Sequence, residues 1–129
     1  MATVKRFEEL IVWQKARMLN MQIIAISNLP AYERERRLRD QIRGSSGSIM
    51  DNIAEGFGRM GNREFVNFLL IANGSAMEVR SQLTRSLDHG YISPVTHDEL
   101  MSLLDEISRM MFSLIRYLRK NEKTGQRYR

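Results

Sequence analysis

From Val12 to Leu118 the apolar residues recur mostly at intervals of three and four, the spacing of helices that bury one face. Four such runs can be read. In the first, Phe7 to Asn28, the residues Val12, Ala16, Leu19, Ile23 and Ile26 make a stripe at intervals of 4, 3, 4 and 3. Trp13 and Ile24 flank it, and Phe7 and Leu10 precede it as end caps. Pro30 stops the run, because the residue before a proline is driven out of the helical region. The second run, about Glu33 to Gly58, gathers Leu38, Ile42, Ser45, Ile49 and Ile53 within about 80° of arc. Its opposite face begins basic, with Arg36, Arg39 and Arg43, and continues small and apolar, with Gly47, Met50 and Ala54. The third, about Asn62 to His89, is expected to start from Asn62 as N-cap and carries a stripe from Phe65 through Leu69, Ala72, Ala76 and Val79 to Leu83 and Leu87. The fourth is expected to start from a Thr96–Glu99 capping box. It presents Leu100, Leu104, Ile107, Met111, Ile115 and Leu118 with their neighbours over about 140° of arc. The pattern predicts an all-α fold, an antiparallel up-down-up-down four-helix bundle over residues 1–121, followed by a basic tail over residues 122–129.

Two stretches interrupt this regularity. Gly44-Ser45-Ser46-Gly47-Ser48 looks like a flexible linker, yet Ile42, Ile49 and Ile53 stay in phase across it, which predicts one unbroken helix. Ala72, Gly74, Ser75 and Ala76 are equally small in the third run. A glycine inside a helix costs about 1 kcal/mol relative to alanine, and a close approach of the second and third helices is the expected compensation. Gly56, Gly58 and Gly61 then end the second helix and make the turn. From Phe65 to Ala72 the third run is apolar nearly all round, because Val66, Leu70 and Ile71 lie off its main stripe. A four-helix bundle covers only one side of each helix, so this surplus predicts self-association. The candidate oligomer interface is Gly47, Met50, Ala54, Val66, Leu70 and Ile71.

Charge changes the picture next. The chain of 129 residues, one domain in length, carries a formal charge of +5, which favours a polyanionic partner. Arg109, Arg116 and Lys120, at intervals of 7 and 4, line one ridge of the fourth helix, and the tail adds Lys123, Arg127 and Arg129. Together with Arg36, Arg39 and Arg43, this ridge is the candidate nucleic-acid-binding set, contacting phosphates without reading bases. RNA and DNA are both open.

Candidate chemistry is sparse. The absence of cysteine removes disulfides, thiol nucleophiles and thiolate metal sites. His89 and His97 both fall at the turn before the fourth helix, and neither has a glutamate three positions earlier, as di-iron bundles require. Gly56-Phe57-Gly58 lacks the preceding strand and the following Gly-Lys-Ser/Thr of a phosphate loop. Glu55 and Glu78 are the one pair of carboxylates placed to meet across helices, and ion pairing with Arg59 and Arg80 explains them more simply. The expectation is no catalytic residue, no metal site and no cofactor, hence no enzyme. No apolar run is long enough to span a membrane and MATVKRFEEL has no apolar signal core, so a cytoplasmic protein without a membrane partner is expected.

One set of residues carries a family resemblance. Phe7-x-x-Leu10-x-Val12-Trp13-Gln14-x-Ala16, Gln41-Ile42-Arg43, Ser48-Ile49, Asn52-Ile53-Ala54-Glu55-Gly56-x-Gly58-Arg59, Glu64-Phe65, Phe68-Leu69-x-Ile71-Ala72 and Gly74-Ser75 resemble the bacterial four-helix-bundle proteins encoded in intervening sequences of 23S rRNA genes. The resemblance runs over nearly the whole chain. It implies a bundle that assembles as a ring, a homopentamer, similar in fold to the accessory protein of diversity-generating retroelements. That protein is a basic pentamer that binds nucleic acid and a reverse transcriptase, so a nucleic-acid-processing protein is an implied partner. Where the family usually has Arg-Ala-Ala after Gln-Ile-Arg, this chain has Gly44-Ser45-Ser46, which keeps small side chains and drops one cation. The resulting expectation is a non-enzymatic, pentameric, sequence-nonspecific nucleic-acid-binding bundle. The alternative is a structural or protein-interaction ring whose charge has no direct nucleic-acid role.

Overall fold

The computed structural model describes residues 4–121. A single 3-10 turn, Phe7–Glu9, leads into α1, Ile11–Ser27, and a second, Pro30–Tyr32, leads into α2, Arg36–Phe57. Two longer helices follow, α3 at Asn62–Asp88 and α4 at Pro94–Lys120, and the described residues contain no strand. Consecutive helices are neighbours, and α4 closes the bundle against α1.

Cross-helix pairs fix the directions. Asn20 Nδ2 donates to Ser46 Oγ (3.0 Å) and Arg43 Nε to Ser27 Oγ (2.6 Å), so α2 climbs as α1 descends. Ser75 Oγ donates to Ser48 Oγ (2.9 Å) and Gln82 Nε2 to Ser45 Oγ (3.1 Å), which makes α3 antiparallel to α2. Asn62 Nδ2 reaches the carbonyl of Leu118 (3.3 Å) while Arg80 pairs with Asp105, so α4 runs against α3. The up-down-up-down order follows.

The core is the one the spacing predicts. Leu19, Ile23, Ile42, Ile49, Ile53, Leu69, Val79, Leu83, Leu104 and Ile107 are fully buried. Trp13 packs at the edge, its ring 5.1 Å from Phe7 in a T-shaped pair. Tyr32, in the connection before α2, is also fully buried, with its ring 5.5 Å from Tyr91. Pattern reading passes over it because it lies outside any periodic run.

All four helix starts differ from expectation, beginning with α1, which starts at Ile11 after a separate 3-10 turn rather than at Phe7. The chain leaves Pro30 in a 3-10 turn, so α2 begins at Arg36 rather than near Glu33. At α3 the N-cap is Gly61, with φ of 96°, and Asn62 is buried and spent on Leu118 across the bundle. At α4 the cap is Ser93, whose Oγ accepts from the Thr96 backbone N–H (3.1 Å), with Pro94 at the first position. Proline there forgoes only an N–H that has no helical partner.

The small residues do two different jobs. A Cβ at Gly56 would lie 2.7 Å from Phe68 Cβ and 2.8 Å from Phe65 Cδ1, so here α2 and α3 meet as closely as expected. Gly44 and Gly74 have nothing within 4 Å of that position, and Gly47 only Asn20 Nδ2 at 3.8 Å. Toward that end the seam opens into a polar groove of about 570 Å³, lined by Gly44, Ser48, Ser75, Glu78 and Arg85 among others. Close packing therefore accounts for Gly56 and not for Gly44 or Gly74.

Candidate nucleic-acid interface

The basic residues at the start of α2 do not form one outward row. Arg36 is exposed, whereas Arg39 is half-buried beside Asp40 (3.6 Å) with its Nε enclosed and without a hydrogen-bond partner. Arg43 turns inward, its Nε on Ser27 Oγ and its Nη2 on Asn28 Oδ1 (2.7 Å), and so fastens α2 to the end of α1. A cation is favoured there because unpaired carbonyls at a helix C-terminus carry partial negative charge. Two arginines that the periodic reading passed over, Arg34 and Arg37, are exposed and make no ion pair among the described residues. The charge-dense stretch Glu33-Arg34-Glu35-Arg36-Arg37 was the available signal.

On α4 the expected ridge is present. Arg109, Arg116 and Lys120 are all exposed, and none of them pairs with an acid among the described residues. Eleven residues at 1.5 Å each give this row a length of about 16 Å. Arg119 and Lys120 occupy the last helical turn, where the helix dipole also favours cations. The tail cations Lys123, Arg127 and Arg129 lie outside the described residues.

The two basic groups stand at different levels of the bundle: Arg36, Arg39 and Arg43 lie toward one end, while the α4 row runs from mid-bundle, where Ser108 beside Arg109 meets Asn73, to Lys120 at the other end. Ser45, beside the first group, is level with Gln82 of α3, and Leu118, beside the second, is level with Asn62. Those levels on α3 are about 30 Å apart at 1.5 Å per residue. The fold therefore does not merge Arg36, Arg39 and Arg43 with Arg109, Arg116 and Lys120 into one surface.

The residues proposed for assembly also divide. Gly47, Met50 and Ala54 are half-buried, with Gly47 facing Asn20 of α1 and Met50 packed on the core, so this face of α2 is partly covered within the chain. Val66 is only 6% exposed and belongs to the chain's own core, which takes it out of the candidate interface. The reason is that α3 is flanked by both α2 and α4, and a residue one position off its main stripe is still covered. Leu70 and Ile71 remain outside, Ile71 at 53% exposure, with Met77 exposed farther along α3. A second apolar stripe lies on α1, off its buried face: Ile11, Met18 and Met21, at intervals of 7 and 3, are all exposed, Met21 at 61%. The two helices sit at opposite corners, each flanked by α2 and α4.

The remaining polar residues are mostly committed to the fold. Glu55 pairs with Arg59 (3.3 Å), whose guanidinium lies 5.0 Å from the Phe68 ring centroid. Arg80 pairs with Asp105 rather than with Glu78, which instead lines the α2–α3 groove. Tyr91 Oη donates to Glu35 Oε1 (2.8 Å), and that bond, followed by burial and the carboxylate's charge, raises its pKa above the ordinary value. Burial likewise raises the pKa of Tyr32. No helix among the described residues is long and apolar enough to cross a membrane.

No curated protein matches this sequence. Among solved structures, one from Bacteroides thetaiotaomicron, described as a protein of unknown function from the S23 ribosomal protein family, superimposes with a TM-score of 0.73. It is 24% identical, the match covering 81% of this chain and 97% of that one, and it supports the bundle architecture. The family model for the 23S rRNA-intervening sequence protein matches residues 8–113. A four-helix chain matched over that span belongs to the 23S rRNA-intervening sequence protein family.

Proposed function

We propose that this protein is a non-enzymatic, cytoplasmic bundle that assembles with copies of itself and binds nucleic acid through phosphate contacts. The observation that carries this reading is the α4 row, in which Arg109, Arg116 and Lys120 are exposed together without an acidic partner among the described residues. Three cations in a row about 16 Å long suit a run of phosphates, because each neutralised phosphate releases condensed counterions. Such contacts carry no sequence information.

Self-association is supported by the two exposed apolar faces, Leu70, Ile71 and Met77 on α3 and Ile11, Met18 and Met21 on α1. They lie at opposite corners, so an α1 face on one copy meets an α3 face on the next. Such a heterologous contact, repeated with the right rotation, closes a ring. Five is the number implied by the resemblance to pentameric relatives. A ring would repeat the α4 row around its circumference, so that individually weak phosphate contacts add through multivalency.

The test is fluorescence anisotropy of a labelled structured RNA across a salt series, paired with Ile71→Asp and Met21→Asp. Affinity is expected to fall linearly in log–log form, with a slope that grows by roughly 0.7–0.9 for each phosphate engaged. The two aspartate variants are expected to stay folded and to form smaller species. A salt-independent affinity would overturn the phosphate reading, and unchanged assembly size in both variants would remove these faces from the interface. A ring indifferent to RNA would instead be the structural or protein-interaction scaffold.

A further inference from the structure

The α1–α2 and α3–α4 connections meet at one end of the bundle, and there they build an aromatic platform that the α4 row does not share. Tyr91 is held from three sides. Its backbone N–H donates to the Ser86 carbonyl (2.8 Å), its hydroxyl donates to Glu35 Oε1 (2.8 Å), and its ring leans on the buried ring of Tyr32. On this fixed ring lies His89, stacked with centroids 5.7 Å apart and planes 28° apart. His89 is exposed, and no other ring among the described residues packs on it.

Cations unpaired among the described residues stand on both segments that build the stack. Arg34 and Arg36 flank Glu35 in sequence, Arg37 follows, and Arg85 lies one helical turn before His89. All four are exposed and none is ion-paired among the described residues. Of the carboxylates in these segments, Asp40 is paired with Arg39, Glu35 accepts from Tyr91 and keeps its charge, and Glu33 and Asp88 are exposed, so the four arginines exceed the uncompensated acids by one. A rigid ring face bordered by arginines is the arrangement that takes an unpaired base by stacking and its flanking phosphates by charge.

We infer that the His89–Tyr91 stack, bordered by Arg34, Arg36, Arg37 and Arg85, is a binding site for an unpaired nucleobase in single-stranded or looped RNA. This rests on the nucleic-acid reading above and adds a preference for unpaired over paired strands. A competing role for His89, as a cation at the C-terminal end of α3, would need its charge and not its ring.

The test is anisotropy at low salt with two labelled RNAs, a hairpin with an adenosine-rich loop and a blunt duplex of the same stem. The proteins are the full chain and its His89→Ala, His89→Lys and His89→Phe variants. Stacking predicts that His89→Ala and His89→Lys weaken hairpin binding by about 5- to 100-fold while duplex binding stays the same, and that His89→Phe restores the hairpin. Equal losses on both RNAs, restoration by lysine rather than phenylalanine, or no loss would overturn the stacking site while leaving the phosphate reading intact. If the unaltered chain binds neither RNA, the phosphate reading fails and the stacking site fails with it.

Discussion

Two basic clusters of similar composition, one opening α2 and one closing α4, are used differently. At the start of α2, Arg43 is tied to Ser27 and Asn28, and Arg39 lies half-buried beside Asp40. On α4, Arg109, Arg116 and Lys120 are exposed and none pairs with an acid among the described residues, although Arg109 borders a groove between α1 and α4. The difference is set by the neighbour. The first cluster lies beside the C-terminal end of α1, which offers hydroxyl and amide acceptors, whereas the α4 row meets no hydrogen-bonded or ion-paired acceptor of this kind among the described residues. A run of arginines therefore signals a ligand only where the fold has left it without acceptors.

Replacing Arg109, Arg116 and Lys120 together by glutamate sharpens the contrast most. RNA affinity at low salt is expected to fall at least about 100-fold, with thermal unfolding nearly unchanged, as anisotropy and a melting curve would show. Arg43→Ala should do the reverse. It is expected to cost about 1–3 kcal/mol of stability through the lost charge-assisted hydrogen bonds, read by urea unfolding, and to change RNA affinity less than about twofold. If Arg43→Ala instead weakened RNA binding at constant stability, the division between the two clusters would be wrong.

Two smaller effects probe the same division. Arg116→Gln alone should lower the salt slope by about one and weaken all RNA sequences alike. Gly44→Ala should add up to about 1 kcal/mol, since it removes a helix-interior glycine where nothing within 4 Å opposes a methyl group. Gly56→Ala, facing Phe65 and Phe68, should instead destabilise.

The helical period was enough to find the four helices and most of the core, because burial of one face leaves a trace in every turn. It could not find Tyr32, which is buried from a loop, or the Ser93 cap, which competes with an equally plausible Thr96. It also could not assign the second face of each helix. Val66 and Met50 looked like surplus apolar surface, yet neighbouring helices cover them to different degrees, whereas Ile71 stays outside. The α4 row was legible because a straight helix keeps residues at intervals of 7 and 4 on one side. That Arg36, Arg39 and Arg43 stand toward the other end of the bundle from Arg116 and Lys120 was not legible, since it depends on helix order and direction together. The His89–Tyr91 stack was hidden for the same reason: two residues apart in a turn, they gain meaning only from Glu35 and Tyr32 in the other connection.

The measurement that tests the central claim most directly is light scattering after size exclusion, with and without a structured RNA, at low and at physiological salt. The account predicts an assembled species near five chain masses that shifts with RNA at low salt and much less at physiological salt. A stable monomer, or an assembly that never shifts with RNA, would contradict it.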